Sequence, residues 1–545
     1  MRALYLVLLA VACLVPAYVW YGRFLVRRMK VDPNRPTPAH TMTDGVDYVP
    51  AKAPVLLGHH FASIAGASPI VGPIFAAVFG WVPVFLWVVF GSIFVGGVHD
   101  FASIMASVRH KSKSIGEIIR QYIGDTGKKL FLVFAWFTLV LVIAVFMILV
   151  ARTFNSVPAS ATSSTLFLVL AVFFGIGLYR WNMPIGPASF LGVIILLGCI
   201  ALGILFPLQL SVTTWTLILL GYIFVASVTP VWILLQPRDY LNSFLLYMLI
   251  FGAGLGIMIS NPVVHLEPIT TFKTSVGYMF PLLFVTVACG AVSGFHSMVA
   301  SGTTSKQLDK ETDARPVAYG GMLIEGMLAV VSLIAAAVIT SEKYQGYITG
   351  GGGGPITLFS ESVGGFIASL GIPVHVGTTF AALAVSAFAL TSLDTATRLA
   401  RFCFQEFFEG KTVSSASRIT GNRFVATGAG CIFAGALALS GEWQAIWPIF
   451  GSANQLMAAL ALLAASVWLA KIKIKNGFLL YPMYFMFAVT ISALTILIVQ
   501  NITQNNIILT VLAFGLLFVA LMLAWLAFVG MRKSESVAGE EAPAG

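Results

Sequence analysis

The feature that most constrains this chain is the recurrence of apolar runs about twenty residues long, with arginine and lysine gathered in alternate connecting segments. A helix of that length spans the hydrocarbon core of a bilayer. Lipid admits only helices and closed barrels, because every backbone N–H and C=O must be paired within the protein. Of the 545 residues, 58% are hydrophobic and 10% are charged, a balance foreign to soluble globular domains. The spacing predicts fifteen membrane helices, over 4–26, 59–80, 83–108, 130–151, 165–179, 186–206, 215–235, 241–260, 279–301, 317–340, 374–400, 423–440, 443–470, 478–500 and 507–530. The first run reaches Tyr21 and ends in Arg23, Arg27, Arg28 and Lys30. It is too long for a signal-peptide core and carries a basic stop flank, so residues 1–30 are expected to be a membrane anchor.

The formal charge of +10 does not point to nucleic acid, because the cations punctuate apolar runs instead of lining one polar domain. With the N-terminus outside, only Arg2, Arg152, Lys273 and Lys343 lie on the outer side, and the other 27 of the 31 lysines and arginines fall in or beside inner loops. That asymmetry is the positive-inside bias, and it predicts an outer N-terminus, an odd number of spans and an inner C-terminus. There is no GxxxxGK[ST] loop to bind ATP. The five cysteines are scattered without disulfide or metal-ligand spacing and read as small buried apolar residues.

Two spans are interrupted. Leu57 to Pro73 starts apolar, carries His59 and His60, and then breaks at Gly66, Ser68, Pro69, Gly72 and Pro73. The ninth span breaks at Gly290, Ser293 and Gly294, with His296 just beyond. Broken helices survive in lipid only where protein, water or a ligand satisfies their backbone, and in secondary transporters they mark binding sites. The two breaks run in opposite directions across the membrane. After the spans that follow each comes a non-spanning segment, an amphipathic helix over Ser114 to Ile123 on the inside and a glycine-led segment, Gly350 to Val363, on the outside. The expectation is two five-helix units of opposite orientation, 59–206 and 279–470, with an inserted pair at 215–260, two peripheral helices at 478–530 and a disordered tail at 534–545.

The segments GHHFASIAGASPIVGP, VFGSIFVGGVHDF, SGFHSMVASGTTSKQ, TSLDTATRLARF and IFGSANQLMAALAL resemble the signature segments of the carbon starvation protein A (CstA) family. The resemblance runs through most of the chain. It implies an all-α LeuT-type 5+5 inverted repeat of the amino acid–polyamine–organocation superfamily in a bacterial-type inner membrane. It also implies uptake of peptides or pyruvate during carbon limitation, with proton coupling for the pyruvate carriers.

The candidate substrate contacts are Ser63, Gly66, Ala67, Ser68, Ser293, Gly294, His296 and Ser297. A helix restarting at Pro69 with Ser68 as its cap would aim free N–H groups and a positive dipole end at a substrate carboxylate near the midplane. Candidates for ion coupling are His59, His60, His99, Asp100, Thr391, Ser392 and Asp394, because intramembrane ionisable groups are costly and tend to be functional. Each has a structural alternative. His59 and His60 could sit in headgroups, His99 and Asp100 could form a local pair, and Asp394 could pair with Arg398 one turn on. Neighbouring histidine and aspartate side chains diverge on a helix, so spacing alone builds no metal site. Thr391 and Ser392 fit the hydroxyl half of the sodium site that the resemblance implies, although hydroxyls in membrane helices often bond their own backbone. Ser452 to Gln455 is a polar patch that reads as an interhelical hydrogen bond or as part of the substrate route. The expected activity is secondary transport without cofactor, with protons favoured over sodium. The rivals are a membrane-embedded metal enzyme and a sensor that retains the transporter fold.

Overall fold

The computed structural model describes residues 1–45, 47–274, 277–349, 353–409, 419–440 and 443–540. Its helices are α1 Ala3–Arg28, α2 Ala53–Ile64, α3 Ser68–Phe79, α4 Trp81–Arg109, α5 Ile115–Ile123, α6 Asp125–Ser156, α7 Pro158–Tyr179, α8 Ile185–Leu205, α9 Val212–Val228 and α10 Leu235–Ser260. A short antiparallel pair, β1 Lys273–Thr274 and β2 Gly277–Tyr278, precedes the rest. These are α11 Met279–Thr286, α12 Gly294–Gly302, α13 Glu311–Ala337, α14 Ser341–Ile348, α15 Pro355–Ala368, α16 Val374–Phe408, α17 Arg423–Leu439, α18 Trp443–Lys471, α19 Gly477–Thr503 and α20 Ile507–Glu540.

Eleven described helices are long and apolar enough to cross a membrane, or twelve if the bent pair α2 and α3 is one span. The apolar helices α9 and α17 have 17 residues each. Burial sorts the helices into an inner set and an outer belt. The most apolar windows of α6, α13 and α18 are 83%, 89% and 94% buried, whereas those of α1 and α20 are 28% buried and present their remaining apolar side chains outward. With lipid as apolar as leucine, no hydrophobic drive presses these helices together, so close packing and interhelical hydrogen bonds hold the inner set.

Several boundaries differ from the sequence expectation, for local reasons. The first broken span starts at Ala53, not 59, because Pro54 is tolerated in a first helical turn. The fifth starts at Pro158, not 165. Its hydroxyls keep the helix by donating to their own backbone, Ser160 to Val157 O at 2.7 Å and Ser163 to Ala159 O at 2.9 Å. The seventh ends at Val228, not 235, because Pro230 holds Thr229 extended (φ −77°, ψ 143°). The eighth therefore begins at Leu235, with Pro237 in its first turn. The helix α14 was not anticipated. The last helix continues to Glu540, past the expected start of the disordered tail, since 534–540 holds no proline. Residues 541–545 and Gly350 to Gly352 lie outside the described residues.

The amphipathic segment is the helix α5, capped by Ser114, whose side chain accepts from Glu117 N. Ile115, Ile118 and Ile119 are buried, and Gly116 lies against Phe131 and Leu132 of α6. Glu117 binds Lys128 Nζ at 2.9 Å and Arg120 at 2.5 Å. Partial burial raises the Glu117 carboxyl, but Lys128 and then Lys113 and Arg120 outweigh this and hold it below its ordinary value. A depressed carboxylate contributes stability that is present above its unfolded pKa, about 4.3, and lost as pH falls through the folded value. Hydrogen-exchange protection of residues 115–123, relative to the intrinsic rate, is therefore expected to be high at neutral pH and to fall below about pH 4, and Glu117→Gln should flatten that dependence.

Packing at the second break is equally specific. A Cβ on Gly294 would lie 2.3 Å from Asn454 O and 2.5 Å from Ala458 N, both backbone atoms of α18. Gly294→Ala should cost about 3 kcal/mol or more. Gly198→Ala, where a Cβ meets nothing within 4 Å, should stay within about 0.5 kcal/mol. Thermal unfolding in detergent checks the contrast.

Candidate transport site

The first span is bent by 44° between α2 and α3. Its restart differs from the expected one. The helix begins at Ser68 with Ala67 as the cap residue, and no side chain caps it. Ile70 N donates back to Ala67 O at 3.2 Å, and Pro69 has no N–H. The donors left at this end belong to Ala67 and Ser68. The Ser68 hydroxyl is buried without a hydrogen-bond partner. A Cβ on Gly290 would be 3.6 Å from Pro69 Cα. The two breaks, 221 residues apart at Pro69 and Gly290, therefore meet.

The carboxyl end of α2 is held by α16. Ser392 Oγ donates to Ser63 O at 2.8 Å, and Ser63 Oγ lies 3.3 Å from Thr395 Oγ1. Gly66 permits this approach, because a Cβ there would lie 2.6 Å from Ser392 Oγ. Thr391 bonds its own helix instead, donating to Ala387 O at 3.1 Å, and accepts from Asn242 Nδ2 at 3.3 Å.

At the second break the polar patch of α18 supplies the missing partners. Asn454 Oδ1 accepts from Phe295 N at 2.8 Å and so caps α12, and Asn454 Nδ2 lies 3.0 Å from Ser293 Oγ. Gln455 Nε2 donates to Phe284 O at 3.2 Å, at the end of α11. Of the two readings of this patch, interhelical hydrogen bonding describes these contacts. Ser297 Oγ bonds Gly294 O at 2.7 Å. Protein thus satisfies part of the second break, through Phe295 N and Phe284 O, and at the first break the N–H groups of Ala67 and Ser68 stay unclaimed.

Every ionisable candidate is buried: His59, His60, His99, Asp100, His296, Glu325 and Asp394 are 0% exposed. His59 and His60 lie inside protein and not in headgroups. They are joined into two networks. In the first, His99 Nδ1 is 2.7 Å from Asp100 Oδ1, His296 Nδ1 is 3.0 Å from Asp100 Oδ2, and His296 Nε2 is 3.5 Å from Glu325 Oε2. The neighbours His99 and Asp100 do meet, contrary to the divergence expected along a helix, because the aspartate curls back onto the adjacent imidazole. With Asp100 ionised and therefore accepting, both Nδ1 atoms would carry hydrogen; the Nε2 atoms of His99 and His296 have no hydrogen-bond partner. His60 borders this network. It hydrogen-bonds Thr304 Oγ1 through Nδ1 at 2.8 Å, and Gly321 lies against its ring.

The second network was largely missed by sequence reasoning. His59 Nδ1 contacts Asp239 Oδ2 at 2.9 Å, and Asp239 Oδ1 accepts from Arg238 at 2.7 Å. Arg238 also binds Asp394, and Tyr222 of α9 donates to the same carboxylate. Asp394 therefore does not pair with Arg398. That arginine turns to Ala226 O at 3.0 Å and Asp47 at 3.4 Å. Arg238 and Asp239 had been placed in a loop. The usable signal was an adjacent Arg–Asp pair behind a proline that a first helical turn accepts. Among the described residues, no group of three or more His, Cys, Asp or Glu is arranged to hold a metal ion.

The sequence matches the model of the carbon starvation protein CstA over residues 2–351 and 348–493. The chain belongs to the carbon starvation protein CstA family. CstA-family relatives include the pyruvate/proton symporter BtsT of Escherichia coli K12, 33% identical over 86% of this chain and 78% of that protein. The peptide transporter CstA of Bacillus subtilis 168 is 32% identical over 93% of this chain and 92% of its own length. Crystal structures of an Eremococcus coleocola manganese transporter share the fold, with TM-scores of 0.53 and 0.54, 12% identity, and coverage of 90% of this chain and 99% of that one. This CstA-family chain is a multi-pass transporter of the bacterial inner membrane and not an enzyme.

Removing one partner of a buried ion pair strands the other, at about 3–5 kcal/mol. Arg238→Met is expected to lower the thermal midpoint sharply, and adding Asp394→Asn should recover part of the loss. A double-mutant cycle in detergent measures the coupling.

Proposed function

We propose that this transporter couples proton entry to uptake of a small carboxylate nutrient, pyruvate or a short peptide, during carbon limitation. The observation that carries the reading is the buried sequence Glu325, His296, Asp100 and His99, which links α13, α12 and α4 beside the two breaks. Four ionisable groups removed from water cannot all hold their ordinary charges. A proton shared among them is the least costly arrangement, and loading or releasing it alters the contacts among three helices. The names of the relatives in Escherichia coli and Bacillus subtilis agree with this substrate range and this ion.

In this reading the chain forms two five-helix units of opposite orientation, with α1, α9, α10, α19 and α20 outside them. Counting α9, α17 and the second broken span with the long helices gives the fifteen crossings, and the outer N-terminus follows the distribution of cations. The substrate carboxylate meets the N–H groups of Ala67 and Ser68 at the start of α3, where the positive end of the helix dipole lies. Ser63 and Gly66 shape that contact, and Ser293, Gly294 and Ser297 form the facing wall. His296 stands between substrate and proton. His59, His60 and Asp394 tie the gating movement to the second network. Sodium at Thr391 and Ser392 is the less supported alternative, because the Thr391 hydroxyl oxygen already accepts from Asn242 Nδ2.

Labelled pyruvate and labelled dialanine uptake into proteoliposomes under an imposed pH gradient tests this. Accumulation should follow the inward proton gradient and vanish with a protonophore. Glu325→Gln and His296→Gln should cut gradient-driven accumulation at least ten-fold while counterflow exchange persists. Uptake that ignores the proton gradient and follows an imposed sodium gradient would reverse the assignment.

A further inference from the structure

His60 holds a position that its neighbour His59 does not share. Its ring is 0% exposed and has one hydrogen bond, Nδ1 to Thr304 Oγ1 at 2.8 Å. Nε2 is buried without a hydrogen-bond partner. Cδ2, the carbon bonded to Nε2, is turned to α13, where a Cβ on Gly321 would lie 3.4 Å from it. Gly321 and Glu325 are one helical turn apart on one face of α13. The open edge of the ring therefore faces the side of α13 that carries the network carboxylate. The charged and titratable groups that bear on it are Asp100 of α4, His296 of α12 and His59 of its own helix. Asp239 of α10 is engaged by His59, and α16 meets this half-helix through the hydroxyls of Ser392 and Thr395.

Thr304 lies on the inner side in the orientation proposed above. It follows the last turn of α12, eight residues beyond His296, or about 12 Å at the helical rise. Its flanking residues Gly302 and Lys306 line a cavity of about 140 Å³, together with Tyr48, Ser112, Ser114 and Glu406. A polar cavity of that size has room for several waters. Thr304 itself is 0% exposed. With Nδ1–H donating to the Thr304 hydroxyl, Nε2 is the basic nitrogen of the ring. It can then take and lose a proton while the Thr304 bond keeps the imidazole in place.

We propose that His60 is the inner station of the proton path, and that Thr304 is the positioning residue that keeps its Nε2 basic and turned to the network. The proposal rests on the proton-coupling reading above. In the step it describes, the Nε2–H bond of His296 breaks and an Nε2–H bond forms on His60, with water as the carrier between them. The His60 imidazolium then gives that proton to water of the inner cavity and returns to the neutral ring. One proton enters, one leaves, and no electrons move.

The test uses the full chain in right-side-out bacterial membrane vesicles, with vesicles lacking it as background and labelled pyruvate and dialanine as probes. At fixed external pH, wild-type uptake should slow as the internal pH is lowered, because release of the proton is opposed. Thr304→Val keeps the shape and removes the hydroxyl. It should move the midpoint of that internal-pH profile by about half a pH unit or more, whereas Thr304→Ser should keep the wild-type midpoint. A merely structural role would lower the rate at every internal pH and leave the midpoint where it was. His60→Gln should flatten the profile and cut accumulation about ten-fold or more. Thermal midpoints within a few degrees of the wild type establish that folding is intact, and if His60→Gln falls short of this the Thr304 pair decides. An unmoved midpoint in Thr304→Val would overturn the inner station while leaving proton coupling in place. Wild-type uptake that ignores the proton gradient would instead overturn the coupling reading.

Discussion

A helix interrupted inside a membrane leaves carbonyls and N–H groups that lipid cannot satisfy, and most of this architecture follows from how the chain answers that demand. Ser392 donates to Ser63 O, Asn454 accepts from Phe295 N, and Gln455 donates to Phe284 O. Two helices, α16 and α18, are thereby committed to the centre. Small residues at Gly66 and Gly294 bring their backbones close enough for these bonds. Once those contacts are made, the remaining inner helices have little freedom of position. The outer belt needs only to match the surrounding lipid.

Both breaks are answered in part by neighbouring helices. Asn454 and Gln455 brace the second, beside which His296 lies between Asp100 and Glu325. Ser392 braces the first, which keeps unclaimed donors at Ala67 and Ser68. The close approach of Gly290 to Pro69 brings the two breaks together.

Much of this was legible in the residues. Apolar periodicity located nearly every helix, and Gly-Ala-Ser-Pro in the first span with Gly-Ala-Val-Ser-Gly in the ninth located both breaks. The family followed from long motifs in order, and the comparison bears it out. Partners across long sequence separations were not legible. Nothing local indicates that Asp394 chooses Arg238 over Arg398, since Arg238 lies 156 residues away on another helix. Ser68 looked like a cap by type, but the helix starts at Ser68 itself and its buried hydroxyl has no hydrogen-bond partner. The charged start of α10 was mistaken for a loop because charge and proline are usual loop signals, whereas here the charges are paired inside the protein.

His59 and His60 are consecutive on one half-helix, yet they serve networks with no residue in common: His59 joins Asp239, while His60 borders Asp100 and His296. Consecutive side chains on a helix point about 100° apart, so α2 works as a shaft with two keys. Displacing α2 at one histidine would displace the other, so the two charge clusters share one backbone as well as the electrostatic influence of His59 on His60.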